Sequence, residues 1–125
     1  RRAIDNIMTR LRSLVEETGA GLILVSHLRR VDGNKGHENG IEVSLSHLRG
    51  SNSIGQLSDC VIALERNQQS DDPEEARTTK LRVLKSRYTG DVGMATSLIY
   101  DKETGRLSES FDTEFTLEDE SLTGF

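Results

Sequence analysis

The chain has 125 residues, 34% hydrophobic and 30% charged, with a formal net charge of −5, a length that allows one domain. One cysteine, Cys60, excludes an internal disulfide framework and fits a reducing compartment. No apolar run approaches the ~18 residues of a membrane span, and no signal-peptide pattern opens the chain. A soluble intracellular protein is expected. The first residue is Arg1 rather than Met, as expected of a piece of something longer.

The charge is unevenly spread. Residues 109–125 hold six acids (Glu109, Asp112, Glu114, Glu118, Asp119, Glu120) and no Lys or Arg, which leaves residues 1–108 with 16 basic and 15 acidic side chains. The body is near neutral, so the acidic total does not argue against a nucleic-acid partner. Low apolar content and strong negative charge predict a disordered tail over 109–125.

In chain order, Ile4, Ile7, Met8, Leu11, Leu14 and Val15 recur at three- and four-residue steps, which predicts an amphipathic helix stopped by Gly19. Gly21-Leu22-Ile23-Leu24-Val25-Ser26 is a continuous apolar run that suits a strand buried on both faces of a parallel sheet. From His27 to Ser46 the composition turns polar, and glycines and asparagines break any periodicity, which predicts a surface loop. Leu48 to Ser58 can form a short helix after the Gly50-Ser51-Asn52-Ser53 turn. Cys60 to Leu64 reads as a second buried strand, and Asn67 to Thr78, with Pro73, as a solvated connection. Lys80 to Lys85 is a third strand and Ala95 to Tyr100 a fourth. Asp101-Lys102-Glu103-Thr104-Gly105 is a hairpin turn into Arg106-Leu107. These elements predict an α/β fold with a mixed, mainly parallel sheet and an antiparallel C-terminal edge.

Three groups can carry chemistry. His27 follows a predicted strand, where ligands meet open α/β sheets, and can donate to a phosphate oxygen; a loop histidine bonded to a neighbouring carbonyl is the plainer reading. Lys85 and Arg87 are two apart, so both cations leave one face of a strand. They can clamp a phosphate or simply guard a solvated edge. Arg29, Arg30, Lys35 and His37, with Arg49 beyond, form a basic, glycine-rich stretch able to meet a phosphate backbone; solvated loop charge is the alternative. Five aromatics in the chain give little support to a base-stacking platform. No metal is expected, since His27, His37 and His47 lack ligand spacing and Cys60 sits in an apolar run. No GxxxxGK[ST] phosphate loop occurs.

Several runs stand together in one family's order: Leu22-Ile23-Leu24-Val25-Ser26-His27-Leu28-Arg29, Leu48-Arg49-Gly50-Ser51, Gln56-Leu57-Ser58-Asp59, Ile62-Ala63-Leu64-Glu65-Arg66-Asn67-Gln68 and Leu84-Lys85-Ser86-Arg87-Tyr88-Thr89-Gly90. Over residues 1–108 the chain resembles the C-terminal part of DnaB-like hexameric replicative DNA helicases, most of all those of phage primase–helicases, and also the Twinkle helicase. The resemblance implies the C-terminal portion of a RecA-like P-loop ATPase core, in a homo-hexameric ring that moves on single-stranded DNA and unwinds duplex at the replication fork.

Carried over by position, the resemblance makes His27 the sensor of the terminal phosphate and Arg87, assisted by Lys85, an arginine finger on the neighbouring subunit's nucleotide. Arg66 and Tyr100 would flank the base, and Gln56 would link nucleotide state to the DNA loops. Arg29, Lys35, Arg49, Gly50 and Ser51 would hold the DNA backbone. The nucleotide would be ATP or dTTP with Mg2+, bound by a phosphate loop and Mg-binding residues outside this chain, so the fragment alone should be an inactive part of an NTP-dependent helicase. The acidic tail resembles phage counterparts that dock on the replicative DNA polymerase, with Glu118, Asp119, Glu120 and terminal Phe125 as contacts; a solubilising tail is the alternative. The location implied is the cytoplasm of a phage-infected bacterial cell, with no membrane contact. A RecA-like recombinase ATPase and a non-catalytic DNA- or partner-binding module are the rivals. With its sheet cut, such a fragment should expose apolar edge and tend to aggregate.

Overall fold

The computed structural model describes residues 2–28, 42–48 and 52–110. The apolar spacing read above forms helix α1, Arg2–Thr18. Met8 is buried and Ile4, Leu11 and Val15 are half-buried, while Ile7 and Leu14 are exposed. The packed stripe is therefore narrower than the six periodic positions suggested. The helix ends as expected: Gly19 takes the left-handed conformation (φ 70°) and its N–H donates to the Val15 carbonyl at 2.9 Å.

The run Gly21–Ser26 is not a strand. Ile23 is 93% and Val25 87% exposed, and no strand among the described residues pairs with them. Strands are stabilised by a hydrogen-bonded neighbour as much as by apolar side chains, and an apolar run alone does not supply one. Only Leu28, just beyond, forms a bridge, with Leu48.

A short 3-10 turn, Leu45–His47, leads to α2, Ser53–Leu57, which buries Ile54. Four strands follow: β1 Cys60–Arg66, β2 Thr78–Ser86, β3 Gly93–Tyr100 and β4 Leu107–Ser110. They form one antiparallel sheet in the order β1-β2-β3-β4. The α/β class and the antiparallel C-terminal edge hold; no parallel pair occurs among the described residues. The connection between β1 and β2 is less open than expected, because Pro73–Ala76 makes a helical turn, α3. Pro73 sits in its first turn and the Asp72 carboxylate accepts from the Glu74 N–H at 3.0 Å. The hairpin turn at Asp101–Gly105 closes through Asp101 N–H to the Arg106 carbonyl at 2.9 Å.

Strand β1 is not buried on both faces. Ala63 and Glu65 turn inward, whereas Ile62 and Leu64 are 56% and 60% exposed, the alternation of a sheet covered on one side. The ladder carries two irregularities. Val61 pairs with Lys85 and Ile62 with Val83, so Leu84 is an extra residue on β2. Leu81 pairs with Thr96 and Arg82 with Met94, so Ala95 is an extra residue on β3.

The apolar core is small: Met8, Val43, Ile54 and Ala63. Polar ties supplement it. Glu65, 5% exposed, accepts from the Val43 N–H at 2.7 Å and from Arg82 Nε at 2.8 Å and Nη2 at 3.4 Å. Arg82 Nη1 lies 3.5 Å from Glu42, and its bond to Glu65 holds the guanidinium more firmly protonated than usual.

The substitution Ile23→Lys should leave the unfolding free energy of the chain within ~0.5 kcal/mol of wild type in denaturant titration, because an exposed side chain has no packing to lose. Light scattering at equal concentration should fall as apolar surface is removed. A loss of roughly 2 kcal/mol or more would show that Ile23 is packed.

Candidate functional site

The cations at the end of β2 do leave one face together, as their spacing predicted, and they meet the C-terminal end of α2. Lys85 Nζ donates to the Gly55 carbonyl at 2.8 Å and to the Gln56 carbonyl at 3.0 Å. Arg87 Nη2 donates to the same Gln56 carbonyl at 3.1 Å, and Nη1 to Asp59 Oδ1 at 2.6 Å. The Arg87 backbone N–H also donates to the Asp59 carbonyl at 2.8 Å. Arg87 stands at the head of a turn in which the Gly90 N–H returns to the Ser86 carbonyl at 2.8 Å, and Gly90 takes φ 74°, which a side chain would strain.

A third cation joins from α1. Arg12 Nη1 donates to Asp59 Oδ2 at 2.9 Å, and its Nε to Glu16 Oε1 at 3.1 Å. Asp59 therefore gives one oxygen to each of two guanidinium groups. The Arg12 hydrogen bond above all, with the charges of Arg12, Arg87 and Lys85, holds the Asp59 carboxyl below the usual carboxylate range; Asp59 in turn raises Arg12. Both the Arg87 and Asp59 side chains keep about a third of their surface open, 37% and 32%. The cluster thus presents three cations beside solvent, an arrangement able to receive an anion.

His27 is exposed, and its ring has no hydrogen-bond partner among the described residues; its carbonyl accepts weakly from Ser26 Oγ at 3.4 Å. Nothing joins His27 directly to the Lys85–Arg87 cluster. The link is indirect: Leu28 bridges Leu48, whose side chain lies over Gly55 of α2. Gln56 contributes its backbone carbonyl. Arg66 ends β1 and Tyr100 ends β3, and both lie at the end of the sheet away from Arg87, because β1 and β3 run opposite to β2. Nine residues of β2 separate the two ends, about 25 Å at ~3.3 Å per residue.

Arg29, Lys35, Arg49, Gly50, Ser51, Glu118, Asp119, Glu120 and Phe125 lie outside the described residues. Among the described residues no group of His, Cys, Asp and Glu could hold a metal ion, and Cys60 is a free, exposed thiol. No described helix is long and apolar enough to cross a membrane.

Arg12 and Asp59 were not singled out in the sequence. Arg12 reads there as one charge on the polar face of α1, and no local pattern announces a partner 47 positions away. Asp59 sat within a family-like run without a role of its own.

A family model described as the DnaB-like helicase C-terminal domain matches residues 1–109. The chain belongs to that family. Membership implies a RecA-like fold, and among the described residues the sheet is antiparallel throughout. Among relatives of this DnaB-like domain, a DNA helicase/primase of Enterobacteria phage T3 is 46% identical over 110 residues. The match covers 88% of this chain and 19% of the relative, so the chain spans about a fifth of that protein's length.

The Asp59 carboxyl titrates lower in the folded chain than in the unfolded one, so its charged network stabilises the fold above the ordinary carboxylate value near ~3.9 and stops doing so as pH falls through the lowered value. Asp59→Asn should therefore lower the thermal midpoint at roughly pH 6, and its deficit should shrink progressively as pH falls below the ordinary carboxylate value of about 3.9 towards the lowered one. A deficit that stays constant across this range would show that charge is not what Asp59 contributes.

Proposed function

We propose that this chain is the trans-acting, DNA-facing part of an NTP-dependent replicative helicase ring, and that its sheet spans from one nucleotide site to the next. The observation that carries this reading is the separation of the two candidate nucleotide contacts. Arg66 and Tyr100 stand at one end of the sheet and Lys85 and Arg87 at the other, about 25 Å apart along β2. That is too far for both pairs to touch one nucleotide within a single subunit. Arg66 and Tyr100 flank the base bound by their own subunit, while Arg87 offers its planar fork to the phosphates held by the neighbour.

Hydrolysis then depends on assembly of the ring, since a charge developing on the phosphoryl oxygens meets its guanidinium only at an interface. In the isolated chain Arg87 rests on Asp59 and the Gln56 carbonyl, acceptors that a phosphate must outcompete. His27 senses the phosphate, and its effect reaches α2 through the Leu28–Leu48 bridge. Residues 29–41 with Arg29 and Lys35, together with Arg49, Gly50 and Ser51, hold the DNA backbone. The substrate is ATP or dTTP. No group of three or more His, Cys, Asp and Glu able to hold magnesium occurs among the described residues. The acidic tail with Phe125 docks on a basic surface of the replicative polymerase.

In the full-length ring, Arg87→Ala should lower kcat by about a thousandfold or more while nucleotide still binds, as expected of a finger acting in trans. Arg66→Ala should instead raise KM with a smaller change in kcat. Steady-state hydrolysis together with fluorescent-nucleotide binding separates the two. Loss of nucleotide binding in the Arg87 variant, or hydrolysis at the wild-type rate, would place Arg87 elsewhere.

A further inference from the structure

Glu65 is the buried charged side chain among the described residues, 5% exposed, and the nucleotide chemistry above leaves it unused. A carboxylate out of water is costly unless its lone pairs are filled. Here three N–H groups fill them: Val43 at 2.7 Å, Arg82 Nε at 2.8 Å and Arg82 Nη2 at 3.4 Å. A buried ion pair is often no more stabilising than apolar residues of the same volume, but it fixes its members in one geometry. What it fixes is a chain segment: the Val43 side chain is 2% exposed and its N–H is held by Glu65, while Glu42 meets the other side of the Arg82 guanidinium at 3.5 Å.

We propose that Glu65 and Arg82 are a positioning pair that roots the chain at Glu42–Val43 on the sheet and couples that root to the nucleotide-base end of β1. The coupling path is short. Arg66 follows Glu65 by one peptide bond and emerges on the opposite face of β1. A shift of Arg66 towards or away from a base moves Glu65 with it, and Glu65 carries the Val43 backbone through a bond of 2.7 Å. Arg82 keeps the carboxylate from rotating, because its fork engages both oxygens. Residues 29–41 precede this root, and the inference rests on the reading that they face DNA. Glu65 and Arg82 act as positioning residues, through their hold on Val43 and Glu42.

The test uses full-length rings. Glu65→Gln and Arg82→Gln should assemble as rings by size-exclusion chromatography and keep basal NTP hydrolysis, while stimulation by single-stranded DNA falls about tenfold. Arg82→Lys, which keeps the charge but not the fork, should fall in between. A parallel Arg29→Ala/Lys35→Ala variant should lose affinity for single-stranded DNA, with a shallower salt dependence. If that double variant binds DNA like wild type, the reading of residues 29–41 fails. If it loses affinity but Glu65→Gln keeps full stimulation, or loses basal and stimulated rates in equal proportion, the positioning role is overturned. Should Glu65→Gln rings not assemble, Arg82→Lys decides: a reduced ratio of stimulated to basal rate supports the pair, and an unchanged ratio overturns it.

Discussion

The end of the sheet that carries Lys85 and Arg87 is organised by one carboxylate. Asp59 sits between α2 and β1 and divides its two oxygens between Arg12 of α1 and Arg87 beyond β2. Its carbonyl also receives the Arg87 backbone N–H. Helix, strand and turn thus meet at a single residue. The same contact that holds the elements together holds the Arg87 guanidinium in place.

Such ties matter because apolar packing is sparse. Among the described residues four hydrophobic ones are buried, while Ile23, Val25, Ile62 and Leu64 face outward. Polar anchors at Asp59 and Glu65 supply the geometry that a deeper core would otherwise impose, and they do so at opposite ends of β1. One end fixes the cations; the other fixes the approach of residues 42–43.

Much of this was legible in the residues. Helix α1, its glycine stop, the hairpin at Asp101–Gly105 and the strands around Lys80–Lys85 and Ala95–Tyr100 all follow from local periodicity and turn chemistry, and they stand as read. The Gly21–Ser26 run failed for a physical reason: apolar composition records what a segment can bury, not whether a pairing neighbour is present. Local patterns also could not show Arg12 reaching Asp59, or Glu65 reaching Val43, since both contacts join residues more than twenty positions apart. Glu65 did carry one signal, a carboxylate two residues from Ala63 and so on its inward face. The DNA and polymerase assignments came from family resemblance, and their residues lie outside the described chain.

The irregularity in the first ladder has a consequence of parity. Counting by twos along β2 from Lys80 and Arg82, which face the same side as Glu65 and Ala63, the next members would be Leu84 and Ser86. The supernumerary Leu84 advances the count by one, so Lys85 lines up with Val61 and emerges on the side where α2 waits. One residue more or fewer there would send Lys85 and Arg87 to the bare face, with every side chain of the strand otherwise unchanged. Odd or even, more than the identity of the neighbours, decides whether those cations have a socket.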